Sequence, residues 1–349
     1  TNANLMLNTL TNSGLFSAYA GLTSTGLVDN TAAGTINLYA SSAPTFASLT
    51  NAGTILADAP LTIIGAYQQN AGTLTANANL SSGSLSGAGG MIKLGGPGVH
   101  YTVNQTANGT YSGAVSGGVV DKTGTANLTL DGAMHSFAPG SLNVQQGTVT
   151  AATANVFAQS LVVNVGSQGL LDLATDQVIA SLTNNGLTEL RADLTTTGQF
   201  TNNGTLALMN ALVNNAPTAA TRTIHTRGFA GSASGVVDLD NNTLVIDQSG
   251  NSTYAGTFTG AGSLTKQGAG SLNLTGASSF TGGLTVAAGT IDTTGGGTLA
   301  DNLAVQVDAD AHYIVGTSDT IGSINNAGYV TTNANLMLNT LTNSGLFSA

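Results

Sequence analysis

The chain has 349 residues, a formal net charge of −10 and no cysteine, and only 6% of its residues are charged, against about 25% in an ordinary soluble domain. Six basic residues cannot neutralise a phosphate backbone, which excludes nucleic acid as a partner. The missing thiols exclude a disulfide scaffold and thiolate metal sites, and no apolar run reaches the ~18 residues of a spanning helix, so no membrane contact is expected in this segment.

The first element read along the chain is also the last. TNANLMLNTLTNSGLFSA occupies residues 1–18 and recurs unchanged at 332–349, an offset of 331. A fixed internal period is the signature of a repeat architecture. The identity predicts one 331-residue tandem repeat plus an 18-residue overlap, so 1–349 is expected to be one continuous solenoid segment. Its expected partners are identical repeats, end to end.

A shorter period runs inside the long one. Gly14, Gly34, Gly53, Gly72 and Gly90 are spaced by 20, 19, 19 and 18 residues. Gly147, Gly169, Gly186 and Gly204 follow at 22, 17 and 18, then Gly289, Ala311, Gly328 and Gly345 at 22, 17 and 17. A short alternating apolar run follows most of them, which predicts a half-buried strand. One such strand every 17 to 22 residues is one coil of a parallel β-helix, each coil pairing with the next at about 4.8 Å. The similar spacing after Gly147 and Gly289 points to an old internal duplication.

An asparagine precedes many of these glycines: Asn12 before Gly14, Asn51 before Gly53, Asn70 before Gly72, Asn184 before Gly186, Asn202 before Gly204 and Asn326 before Gly328. Asparagine suits turns, and amides stacked in register can bond from coil to coil. The series is therefore expected to be a structural turn ladder.

The stretch from Gly204 to Gly235 is 31 residues long, roughly 12 more than a coil of this period needs. It holds Arg222, His225 and Arg227. These are candidates for an interaction loop, set against a plain surface excursion or a lateral contact between filaments. A less charged excursion surrounds His100 and Tyr101.

Candidate chemistry is sparse. His100, His135, His225 and His312 stand singly, in no metal-ligand spacing. Asp238 with Asp240, and Asp308 with Asp310, alternate so as to share one strand face. Paired carboxylates suit glycoside chemistry or Ca²⁺, but no full catalytic constellation accompanies them. No catalytic residue, metal or cofactor is expected. The alternative reading is a carbohydrate-binding or carbohydrate-cleaving β-helix that uses the Asp pairs.

Residues 254–291 resemble the passenger-associated transport repeat, also called the autotransporter-associated β-strand repeat. The resemblance rests on Tyr254, Gly260, Leu264, Lys266, Gly268, Gly270, Leu272, Leu274, Gly276, Phe280, Gly282, Gly283, Val286 and Gly289. A weaker copy spans 111–149, keeping Tyr111, Lys122, Gly124, Leu128, Leu130, Phe137, Val144 and Gly147, and departing at Asp121 and Pro139. The resemblance implies an all-β, right-handed parallel β-helix, with about 16–17 coils per repeat at the observed period. It also implies export to the surface or exterior of a Gram-negative bacterium. The expected role is a non-enzymatic structural repeat of a long filament or adhesin, acting as shaft in adhesion, cell–cell linkage or biofilm matrix. Lateral self-association or surface glycans are the further partners considered.

Overall fold

The computed structural model describes residues 3–213 and 216–349. No α-helix occurs among the described residues, and the strands stack in about 18 coils as a β-solenoid. The chain divides into two compact units, Thr1–Ile179 and Ala180–Ala349.

In the first unit each coil has three walls. One wall starts with Leu5–Leu7, whose Leu5 pairs in parallel with Leu22, and continues through Leu61–Gln69, Leu80–Ser86 and His100–Asn104 to Val119–Thr123. The second wall carries Leu10–Asn12 and the later halves of long strands such as Leu22–Asn30. Those long strands turn the corner between walls through register shifts, as between Ser24 and Leu27 or Ser82 and Ser84. The third wall stacks Leu15–Ala18, Thr35–Leu38, Thr54–Ala57, Thr73–Ala76, Met91–Leu94, Ala114–Ser116 and Phe137–Ala138.

Strict alternation explains the interior. In Thr35–Leu38, Thr73–Ala76 and Asn127–Leu130 every second residue is buried, as period-two strands require. Parallel registers place like on like: Phe16, Ile36, Ile55, Leu74, Ile92, Val115 and Phe137 form one column. Each buried Ile or Leu stabilises the coil by about 1.5–3 kcal/mol relative to exposure. The outward positions take Thr, Ser and Asn, which tolerate water and suit strands.

The second unit repeats this plan, with walls that include Gln199–Asn202, Thr205–Leu208 and Thr243–Gln248. Its interior brings aromatic rings into contact. Phe200, Phe229, Tyr254, Phe258 and Phe280 meet edge-on or tilted, with centroids 5.1 to 6.3 Å apart. Its one antiparallel pair among the described residues joins Ala211–Val213 to Ala216–Thr218. This pairing lies within the surplus stretch after Gly204. Arg222 and His225 lie in strand Thr221–Thr226 of a parallel wall, and Arg227 lies at the bend before Gly228–Ala230. The three residues expected in an interaction loop therefore do not form one loop.

Candidate functional site

Buried amides run through the first unit along its second wall. Asn12 Nδ2 donates to Asn30 Oδ1 at 2.8 Å, Asn30 Nδ2 to Asn51 Oδ1 at 2.8 Å, and Asn51 Nδ2 to Gln69 Oε1 at 2.9 Å. The spare Nδ2 hydrogens are taken by carbonyls, as with Asn30 to Thr54 O at 3.1 Å. An amide has both donor and acceptor, so a column of them satisfies itself where a column of like charges could not. Position 70 requires a correction. Asn70 is exposed on the outside, where its Oδ1 accepts from Ala88 N at 3.4 Å, and Gln69 fills the buried slot. Asn30, which the Asn-x-Gly spacing passes over, is fully buried in the column. In the second unit Asn184 Nδ2 donates to Asn202 Oδ1 at 2.8 Å and Asn326 Nδ2 to Asn343 Oδ1 at 2.7 Å.

Both units end an amide run in the same way. Gln69 is followed in register by Gly87, Tyr111 and Leu130. Asn202 is followed by Gly231, Tyr254 and Leu274. A Cβ on Gly231 would lie 2.0 Å from Asn202 O and 2.7 Å from the Tyr254 ring; one on Gly87 would lie 2.0 Å from Gln69 O. The glycine coil makes room for the tyrosine, whose hydroxyl finds Asn202 Nδ2 in one unit and Ala114 O in the other, at 3.2 and 3.0 Å.

Each unit also buries a lysine. Lys122 stands between Val103 and Val144, and Lys266 between Ile246 and Val286. Both are fully buried. Lys122 Nζ donates to Gly124 O at 2.9 Å and Gln146 O at 2.8 Å; Lys266 Nζ donates to Gln267 O at 2.6 Å and Gly268 O at 2.9 Å. Burial lowers both ammonium groups to about 8, with the Asp247 charge opposing the shift at Lys266. Carbonyls at the coil corner thus solvate a cation that water does not reach. Burial likewise pushes the hydroxyls of Tyr67, Tyr101, Tyr111, Tyr254 and Tyr313 well above the usual tyrosine range.

The outer wall of the second unit carries a shallow groove of about 600 Å³, with Thr195, Thr197, His225, Arg227, Asp247 and Ser249 along it. Thr195, His225 and Asp247 are register neighbours on successive coils, and His225 Nδ1 lies 2.9 Å from Asp247 Oδ2. On the first unit, Asp121 is held by His100 Nδ1 at 2.6 Å and by Asn143 Nδ2 at 2.7 Å. Asp238 Oδ1 accepts from the Asp240 backbone N at 3.0 Å, and Asp240 sits at φ +47 in a turn, bonded to Asn210 at 2.7 Å. Asp310 is also at a turn, with φ +67. The expectation that each pair shares a strand face fails because Asp240 lies beyond strand Val236–Asp238 and both Asp308 and Asp310 lie beyond strand Ala304–Val307. Among the described residues no group of three His, Asp or Glu could hold a metal.

Stacked parallel coils with runs of buried amides and single buried tyrosines and lysines inside make this a β-solenoid. Residues 264–292 match the family described as passenger-associated-transport-repeat. That match and the solenoid together fit an autotransporter passenger β-helix, a secreted or outer-membrane-surface class. Searches of curated proteins and of solved structures gave no match.

Proposed function

We propose that this chain is a non-enzymatic shaft segment of a long filament or adhesin on the outside of a Gram-negative cell, extending an adhesive end, linking cells or building biofilm matrix. One observation carries the reading. Residues 3–18 and 334–349, identical in sequence, each form a coil, pairing onward in the first place and backward in the second. A shaft gains length from each such repeat, whereas a single binding or catalytic module gains nothing. The polar interior supports the same role, since buried amide columns fix register without any ligand.

At ~4.8 Å per coil, one repeat would advance ~80 Å. Electron microscopy of the native material should show a thin filament with an axial period near ~80 Å; compact particles without a period would sink the proposal. The groove beside His225 favours a second reading, glycan binding on the shaft wall, because it groups hydroxyls, an imidazole and Arg227 on one outer face. Glycan-array binding abolished by His225→Ala would support it.

A further inference from the structure

We infer that the coil at 3–18 and 334–349 is a two-faced joint, completed when a second copy of this chain stacks on the first through one shared coil. The inference rests on the shaft reading and names its contact.

At the beginning of the chain the coil uses one face only. Leu5 pairs with Leu22, Leu10 with Val28, Asn12 with Asn30 and Phe16 with Ile36. At the end the identical residues use the opposite face. Leu336 pairs with Asp319, Leu341 with Ile324, Asn343 with Asn326 and Phe347 with Val330. The two sets of contacts are compatible within a single coil, because they use different atoms of the same asparagine. Asn12 donates through Nδ2, to Asn30 Oδ1 at 2.8 Å, Gly14 O at 3.0 Å and Thr35 O at 3.1 Å. Asn343 accepts through Oδ1, from Asn326 at 2.7 Å. In a shared coil one amide therefore accepts from the earlier copy and donates to the later one. The run becomes Asn326, the shared asparagine, Asn30, Asn51 and Gln69.

A glycine supplies independent support. A Cβ on Gly345 would lie 2.2 Å from Gly328 O, whereas one on its equivalent, Gly14, meets nothing within 4 Å. Nothing in the first unit asks for glycine at 14; a preceding coil like 319–331 would. The apolar residues agree. Leu341 is 44% exposed at the open end, and in a shared coil it would be enclosed between Ile324 and Val28. The 18-residue sequence contains no charged residue, so closing the joint buries no charge from the coil itself.

The test is a two-copy chain in which residues 1–331 are followed directly by 1–349. The protein has no cysteine, so one introduced thiol reports its own accessibility. Leu341→Cys in the single chain should react rapidly with a thiol reagent. The same change at the seam leucine of the two-copy chain should react more slowly by on the order of 100-fold, as for a site exposed only by local opening. Met337→Cys, facing outward, should react equally in both chains. Equal rates at the leucine would overturn the joint. Should the leucine variants unfold, glycine decides: Gly14→Ala leaves the unfolding midpoint of the single chain unchanged, while the same change at the seam glycine lowers it. A neutral seam glycine would also overturn the joint. A protected seam in a protein whose native form is not fibrous would remove the shaft reading and keep the joint.

Discussion

Asn202 donates through Nδ2 to the Tyr254 hydroxyl at 3.2 Å, although the two stand 52 residues apart in sequence. Gly231 lies between them in the stack, and its missing side chain is what lets the tyrosine ring cross a coil. The same Asn202 amide also holds Val236 O at 2.9 Å. Tyr254→Phe therefore removes one bond of a buried amide that keeps another, and should cost about 1 kcal/mol. Gly231→Ala forces a methyl against a backbone carbonyl and should cost more, about 1–3 kcal/mol. Denaturant unfolding of the two variants orders them; an equal or smaller loss for Gly231→Ala would show that the coil spacing gives way.

The amide column predicts a sharper penalty at its centre. Asn30 both accepts from Asn12 and donates to Asn51. Asn30→Leu takes the donor away from the buried Asn51 Oδ1, while Asn12 Nδ2 keeps its bonds to Gly14 O and Thr35 O; one orphaned buried acceptor should cost about 1–3 kcal/mol. Asn70→Ala, changing an exposed side chain, should stay within about 0.5 kcal/mol. Thermal unfolding of the pair measures the contrast, and similar midpoints would mean that the column is dispensable.

These two positions also mark how far the sequence could be read. Glycine spacing exposes the coils because every coil needs a corner, and corners recur with the period. It does not reveal which polar residue turns inward. Asn30 hides in Asn-Thr-Ala-Ala-Gly, where the glycine is displaced, and Gln69 hides beside an asparagine that fits the spacing better. Only parity from the nearest buried residue, such as Tyr67 two positions before Gln69, selects the inward amide. The same parity was available for Lys266, two residues after Leu264 in an alternating strand. The insertion after Gly204 shows a different limit. Its length could be counted, but the self-pairing of Ala211–Val213 with Ala216–Thr218 within it could not be read from the period.

The Asp pairs separate the shaft reading from carbohydrate chemistry. Asp238 and Asp240 are exposed, and each bonds to its own neighbourhood. Replacing both with Asn should change the unfolding free energy by no more than about 0.5 kcal/mol per site and leave filament assembly and glycan retention as they were. Loss of glycan retention with intact assembly would restore the carbohydrate reading.

The buried lysines and tyrosines predict an alkaline stability maximum. Burial holds Lys122 and Lys266 to about 8, from an ordinary 10.5. Below pH 8 both the folded and unfolded chains carry these charges, and the fold bears the full desolvation cost. Between about pH 8 and 10.5 the unfolded chain binds more protons, so stability rises with pH, by about 3 kcal/mol per lysine at most. The tyrosines act in the opposite sense. Their folded values lie above the ordinary 10, so the unfolded chain ionises first and stability falls once the pH passes about 10. Denaturant midpoints measured from pH 7 to 11 should rise, peak near pH 9 to 10 and then drop. Replacing Lys122 and Lys266 together with Met should flatten the rising limb and leave the falling one. A rise that persists without the lysines would assign it to other groups, and a profile falling from pH 8 would show that the corner carbonyls hold the ammonium charge more strongly than burial opposes it.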